Sequence, residues 1–108
     1  MDNSPLLVLA TCPEEVAEEI AKTLVEDRHA ACVNILPSVQ SVYRWNGELQ
    51  RDSERLLLAK TVKESYRGLE ETIQRLHPYE LPEIIAVPIV AGLSDYLHWA
   101  TLQTQKDL

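Results

Sequence analysis

Five side chains in this sequence belong to the types that bind soft or borderline metal ions through sulfur or nitrogen: Cys12, His29, Cys32, His77 and His98. The two cysteines are far apart in the chain and form no CxxC pair. None of the five has the spacing of a zinc finger or of an HExxH helix. A metal site in this chain must therefore be assembled by the fold from distant positions.

Proline and glycine divide the chain into seven predicted elements. The apolar run 6–10 is typical of a buried strand, and the apolar stripe over 16–25 indicates a helix that faces a core. Further strands are predicted at 30–45, 48–61 and 83–90, with a second helix between the last two and a short helix after Gly92. The order β-α-β-β-α-β plus a C-terminal helix predicts an α+β, ferredoxin-like fold, with two helices on one face of a four-stranded antiparallel sheet.

Two predicted helix starts carry the spacing of a capping box, in which a threonine is followed three positions later by a glutamate. Thr11 stands in this way before the first helix and Thr61 before the second. A threonine cap is therefore one candidate at each of the two helices. If Pro13 is the first helical residue, Cys12 takes the place of Thr11 as the cap.

In a ferredoxin-like sheet the first strand ends beside the start of the fourth, which brings Cys12 toward the segment 77–83. A thiolate, an imidazole and carboxylates would converge there, and thiolate with imidazole suits copper best. The predicted ligands for copper or another divalent metal are therefore His77, Cys12, Glu80 and Glu83. Structural roles compete with this interpretation, because Cys12 adjoins a helix start and His77 a helix end.

The strands predicted at 30–45 and 48–61 are joined by Asn46-Gly47, a strong signal for a two-residue hairpin turn that pairs Trp45 with Glu48. The first strand would run about 50 Å at roughly 3.4 Å per residue, whereas a chain of this size has a radius of gyration of about 13 Å. The hairpin should therefore project beyond the body. An uncovered edge with aromatic side chains favours a partner, most simply a second copy. The alternative is a hairpin that curls over its own sheet. The predicted oligomer interface comprises Val42, Tyr43, Arg44 and Trp45.

Composition and charge exclude several classes of partner. The 108 residues include 17 acidic and 10 basic side chains, a formal net charge of −7, and 45% of them are hydrophobic. This is the composition of one globular domain, 1–108, whose acidic surface repels phosphate backbones and anionic lipids, so neither nucleic acid nor membrane is an expected partner. Because the first residues lack a basic signal-peptide region and no apolar run approaches ~20 residues, we expect a cytosolic protein with reduced cysteines.

Several ordered motifs resemble the CutA family of divalent-cation tolerance proteins. The stretch 31–35 is similar to the second strand of that family, 41–47 to its hairpin signature, and 77–83 to its most characteristic motif. Further matches lie at Glu54, Lys60, Tyr96 and Trp99, so the resemblance covers about residues 6–102. It implies a ferredoxin-like homotrimer with interlocking hairpins and a role in the tolerance of copper and other divalent metals. It implies no defined reaction.

Copper ligation in that family is attributed to a cysteine at the end of the first strand and to histidines of the His-Pro segment. This sequence departs from the pattern. Alignment on the flanking residues places Ala10 at the cysteine position, and Leu76 stands where a second histidine could be. Only His77 carries over, with Cys12 two residues beyond Ala10 as the candidate replacement.

A second candidate site is a pocket for a small ligand, formed by four polar or amphipathic residues of the matching motifs: Trp45, Glu54, Lys60 and Tyr79. If the hairpin has no bulge, Lys60 lies opposite Val33 near the apolar body. A lysine there needs a carboxylate partner, because an unpaired buried charge is costly. Two interpretations stay open: an inter-subunit pocket for a small anion or metabolite, and a structural ion pair that fixes the assembly.

Enzymatic and RNA-binding functions are disfavoured. The sequence contains no nucleophile elbow, no glycine-rich phosphate loop and no catalytic Cys-His signature. RNA-recognition modules of this topology need basic charge and stacking aromatics, whereas 6–10 has no aromatic residue and the net charge is −7. The remaining alternative is a PII-like trimeric signalling or scaffold protein that binds a small metabolite at its subunit interfaces. The tight Asn46-Gly47 turn argues against a switching loop of the PII type.

Overall fold

Four strands and three helices follow one another in the predicted order, in a computed structural model that describes residues 2–106. They are β1 (Pro5–Cys12), α1 (Glu14–Glu26), β2 (Cys32–Trp45), β3 (Glu48–Val62), α2 (Lys63–Leu76), β4 (Ile84–Pro88) and α3 (Ser94–Gln103). The strands form one antiparallel sheet in the order β2-β3-β1-β4. None of the helices in this described part of the chain is long and apolar enough to cross a membrane.

One face of the sheet packs on α1 and α2 and carries the core. Side chains alternate between the two faces of a strand, so Val8 and Ala10 of β1 face the helices together with Leu57 and Ala59 of β3. The helices contribute the fully buried apolar side chains Ile20, Leu24, Leu69 and Ile73. The alternate positions lie on the other face, here called the open face, which comprises Leu7, Leu9, Leu56, Leu58, Ile85 and Val87.

The long hairpin of β2 and β3 is confirmed, including its turn. Asn46 and Gly47 have φ angles of 52° and 81°, as a type I′ turn requires, and Trp45 pairs with Glu48. The last pair between β3 and β1 joins Arg55 to Cys12, so among residues 2–106 no third strand pairs with the hairpin beyond Arg55. The described chain accordingly extends 46 Å along its longest axis and 26 and 23 Å along the others.

A bulge between Leu36 and Val39 shifts the register of the hairpin. It sits at Pro37, which cannot donate a ladder hydrogen bond. As a result Lys60 pairs with Cys32, whereas the unbulged register predicts Val33. Both side chains of this pair then lie at alternate positions to Ala59, on the open-face side of the sheet.

The predicted threonine caps do not form. The residues before α1 and α2 are Pro13 and Val62, and neither helix start has a side-chain capping hydrogen bond. Thr61 is the penultimate residue of β3, where its hydroxyl donates to the His29 carbonyl at 2.6 Å. This tertiary contact replaces the local one, so the capping prediction is wrong at both helices.

Replacing Gly68 of α2 by alanine is expected to reveal a tight contact with His29. A glycine-to-alanine change inside a helix ordinarily stabilises by about 1 kcal/mol. Here a Cβ at Gly68 would meet the Cε1 atom of the His29 ring at 2.5 Å, so the ring has to move. We expect Gly68→Ala to give no gain in the free energy of unfolding, measured by chemical denaturation. In a His29→Ala background the same change should stabilise by about 1 kcal/mol. Equal effects in both backgrounds would contradict the contact.

Candidate functional site: the hairpin pocket

An open cavity of ≈ 930 Å³ lies between the projecting hairpin and the segment that connects α2 to β4. We call it the hairpin pocket. Thr11, at the end of β1, contributes to its wall. The connecting segment contributes all residues of 79–83. The hairpin contributes Ser41, Val42, Tyr43, Arg44, Trp45, Asp52 and Glu54.

The pairing of the hairpin explains why most of its pocket side chains converge, while Val42 and Arg44 lie at alternate positions. Residues directly opposite each other share a face, and so do residues two apart in one strand. Tyr43 and Trp45 of β2 therefore point to the same side as Asp52 and Glu54 of β3. Across the strands the Tyr43 hydroxyl donates to the Asp52 carboxylate. This hydrogen bond is the largest cause that raises the pKa of Tyr43 to about 12.

Glu54 is the buried acid of the pocket, with 6% of its surface exposed. Burial and, to a smaller extent, the Glu54 carboxylate raise the pKa of two neighbouring groups, Cys12 and Tyr79. Burial first and Glu54 second raise the pKa of the Cys12 thiol to about 11. In the same order they raise the pKa of Tyr79. Within residues 2–106, no basic side chain lies within 4.0 Å of the Glu54 carboxylate.

His77 anchors the start of the connecting segment on β1. Its side chain is buried, and Nε2–H donates to the Thr11 carbonyl at 2.8 Å. The other ring nitrogen, Nδ1, accepts the backbone N–H of Tyr79 at 3.1 Å. Because a backbone N–H can only donate, this pair of contacts requires the neutral ring with its proton on Nε2. Both nitrogens of His77 are therefore occupied by the protein itself.

The four predicted metal ligands do not fit a copper centre within one chain. His77 offers no free nitrogen, because the Thr11 carbonyl and the Tyr79 N–H occupy its ring, and the Cys12 side chain is 0% exposed. Glu80 and Glu83 are exposed and line the hairpin pocket. Over 2–106 no three His, Cys, Asp or Glu residues are placed to hold a metal ion.

Three of the four predicted ligand-pocket residues do come together, because Trp45, Glu54 and Tyr79 all line the hairpin pocket. Lys60 does not line it. The Lys60 ammonium instead contacts the Asn34 side-chain oxygen, and the Cys32 sulfur at 3.8 Å. The predicted carboxylate partner is thus replaced by an amide and a thiol, because the bulge places Cys32 opposite Lys60.

The sequence analysis did not assign some of these residues to a ligand pocket. Tyr43 and Arg44 were predicted only as interface residues, and Asp52 was not singled out. The signal for Asp52 was present: it stands two positions from Glu54 in a strand, and the Asn46-Gly47 turn pairs it with Ser41. Because side chains alternate between the two faces of a strand, counting from the turn identifies the side chains on the pocket face of the hairpin.

Known sequences match this chain over nearly its whole length. The sequence model of the family described as CutA1 divalent ion tolerance protein matches residues 6–103. The divalent-cation tolerance protein CutA of Thermus thermophilus is 54% identical over 94 residues, covering 86% of this chain and 91% of that protein. The mouse protein CutA is 46% identical over 97 residues, which cover 89% of this chain. This chain spans only 55% of the mouse protein's length.

Solved structures agree on the fold. The T. thermophilus divalent cation tolerance protein has a TM-score of 0.91 at 51% identity, covering 94% of this chain and 99% of that chain. The structure described as PII-like protein CutA from Nostoc sp. PCC 7120, in apo form, has a TM-score of 0.87 at 35% identity, covering 93% and 97%. The structure described as the periplasmic divalent cation tolerance protein CutA from Archaeoglobus fulgidus has a TM-score of 0.90 at 33% identity, covering 94% and 99%. The predicted ferredoxin-like architecture is confirmed, and this chain belongs to the CutA1 divalent ion tolerance protein family.

Proposed function

We propose that this chain serves divalent-cation tolerance as a cytosolic homotrimer, and that the hairpin pocket is the ligand-binding site through which it acts. The observation that carries the proposal is the convergence of Trp45, Glu54 and Tyr79 in one cavity of ≈ 930 Å³. That volume lies within the range of small-molecule sites. The family is described by ion tolerance and by no reaction, which agrees with the expectation of a non-enzymatic protein.

The apolar surface of the single chain supports assembly. Ile85 and Val87 of the open face are 51% and 43% exposed, and Val90 just beyond β4 is 93% exposed. Val42 and Leu49 on the hairpin are also exposed. A monomer rarely leaves this many large apolar side chains and two sheet edges uncovered. Three copies is the state that the resemblance to CutA proteins implies.

Two ligand classes are candidates for the pocket. A divalent cation would draw its oxygen ligands from Glu80 and Glu83 and complete its coordination with water or a second copy, because residues 2–106 hold no three side chains placed around one ion. A small metabolite, as in a PII-like regulator, would use the aromatic walls. The aromatic walls and the size of the pocket favour the metabolite, so metal tolerance would then be an indirect effect.

The proposal is tested by light scattering together with calorimetric titration of the reduced protein with Cu(I), Cu(II), Zn²⁺ and Mn²⁺. We expect a particle of three times the 12.3 kDa chain mass. Saturable metal binding that is lost in a Glu80→Gln, Glu83→Gln variant would establish the cation as the ligand. A monomer at micromolar concentration would refute the assembly. A trimer that binds no metal more tightly than millimolar would leave the metabolite as the ligand.

The compartment is part of the same proposal. Cys12 and Cys32 are both free rather than joined in a disulfide, which suits a reducing cytosol. The A. fulgidus relative is described as periplasmic, so cell fractionation is the measurement that decides the location of this chain.

A further inference from the structure

We propose that the hairpin pocket binds an organic cation, an alkylammonium or guanidinium group, rather than an anion or a bare metal ion. The inference rests on the ligand-binding role proposed for this pocket and specifies the chemistry of its ligand. Three aromatic side chains line the pocket: Tyr43, Trp45 and Tyr79. Four carboxylates line it as well, from Asp52, Glu54, Glu80 and Glu83, against a single basic residue, Arg44.

Glu54 supplies the strongest reason for a cation. The residue is only 6% exposed, and none of the ion pairs within residues 2–106 includes it. A buried carboxylate without a positive partner is costly, because water no longer solvates its charge. Glu54 nevertheless borders an open cavity that is large enough for a ligand. The Tyr79 side chain hydrogen-bonds to Glu54, but a phenol does not neutralise its charge. A cationic group in that cavity would give the carboxylate the positive partner that it lacks within residues 2–106.

The aromatic side chains decide between kinds of cation. Tyr43, Trp45 and Tyr79 are each 39% exposed, so part of each side chain stays open to a ligand. A weakly hydrated ammonium or guanidinium group is attracted to such rings through cation–π interactions. A divalent metal ion instead requires several oxygen ligands at short distances, and no such cluster exists among the described residues. An anion would meet four carboxylates.

Two sources can supply the same chemistry. One is a free amine, and the other is a lysine or arginine side chain of a second copy of this chain in the assembly. If the cation is a free amine, the assembly should be the same with and without it. A side chain of a second copy would make the Glu54 carboxylate part of the subunit interface, so that neutralising Glu54 would weaken the assembly itself.

The test uses the full chain carrying Trp99→Phe, in which Trp45 is the remaining tryptophan. Butylammonium is titrated against Trp45 emission and in parallel by calorimetry, with butyrate as an anion of the same chain length. We expect saturable binding of butylammonium and none of butyrate. Glu54→Gln should weaken butylammonium binding by about ten-fold or more, since hydrogen bonds and contacts to charged groups are the stronger ones. Glu18→Gln, which removes an equal charge from the exposed surface of α1, should leave it unchanged.

Tyr79→Leu is the second variant, because it keeps every carboxylate and replaces a partly exposed ring. It should weaken butylammonium binding by about five-fold. If Glu54→Gln does not fold, as judged by circular dichroism, this variant carries the test. Equal binding of butyrate, or butylammonium binding that neither variant weakens, overturns the inference.

The outcomes also separate the two sources and the two proposals. If no free amine binds but Glu54→Gln raises the dissociation constant of the trimer at least ten-fold, the cation belongs to a neighbouring copy and the pocket is cation-selective as proposed. The organic cation is refuted if metal ions shift the Trp45 emission, butylammonium does not bind, and Glu54→Gln does not weaken the trimer. In that case the ligand-binding role of the pocket stands. If butylammonium, butyrate and the metal ions all leave the emission unchanged and Glu54→Gln does not affect assembly, the organic cation is refuted, and an uncharged metabolite is the one proposed ligand that remains.

Discussion

Val87→Asp is expected to raise the dissociation constant of the proposed trimer by about 100-fold or more, so that the variant is monomeric at micromolar concentration. Val87 lies on the open face, opposite Leu7 of β1, and is 43% exposed in the single chain. If the open faces meet in the assembly, each subunit would bury an aspartate without a partner. Such a charge costs several kcal/mol, which exceeds the cost of a 100-fold change in affinity.

The control for this prediction is Val25→Asp on α1. Val25 is the same residue type and is also 43% exposed, but it belongs to a helix that covers the opposite side of the sheet. Light scattering across a dilution series should show a trimer for Val25→Asp and a monomer for Val87→Asp. If both variants behave like the unmodified protein, the open face is not the subunit interface.

His77→Ala is expected to lower the free energy of unfolding by about 2–4 kcal/mol. The ring is buried and satisfies two backbone groups, the Thr11 carbonyl and the Tyr79 N–H. Alanine would leave both groups without these partners and a cavity where the ring had been. It would also remove the contact with the Tyr79 ring, whose centroid lies 4.7 Å away.

Metal titration distinguishes this anchoring role from the predicted role as a ligand. Because both nitrogens of His77 are hydrogen-bonded, metal binding by the folded protein should be the same in His77→Ala as in the unmodified chain. His98→Ala, which removes an exposed histidine of α3, should change stability by less than about 0.5 kcal/mol. A His77→Ala protein that keeps its stability and loses one metal ion per chain would restore the ligand role.

The parts of the fold that local chemistry determines could be predicted from the sequence. Asn46-Gly47 specifies its own turn, because both residues tolerate positive φ, and the turn sets the pairing as far back as Ser41 with Asp52. The partner of Lys60 could not be predicted in this way. A single additional residue near Pro37 changes the register, and no residue near Lys60 in the sequence indicates this shift.

The candidate site, like the fold, could be predicted from the sequence only in part. Topology correctly predicts that the His77 segment lies beside the end of β1, where His77 contacts Thr11 next to Cys12. The chemistry of that juxtaposition depends on burial and on exact hydrogen-bond partners, which residue types alone do not give. A thiol and an imidazole adjacent in space are typical metal ligands, but here backbone groups occupy both ring nitrogens and the thiol is buried.

If the hairpin pocket binds a ligand and a second copy covers the hairpin, as proposed, occupancy of the pocket depends on protein concentration. A two-stranded hairpin without a third strand is marginally stable by itself, and this one carries the Tyr43, Trp45, Asp52 and Glu54 walls of the pocket. Any neighbour that covers the hairpin therefore pre-organises the pocket, and any ligand that orders the pocket favours the neighbour by the same factor. Dilution of the protein should then weaken its ligand affinity, and the number of copies in the cell would set the ligand concentration to which it responds.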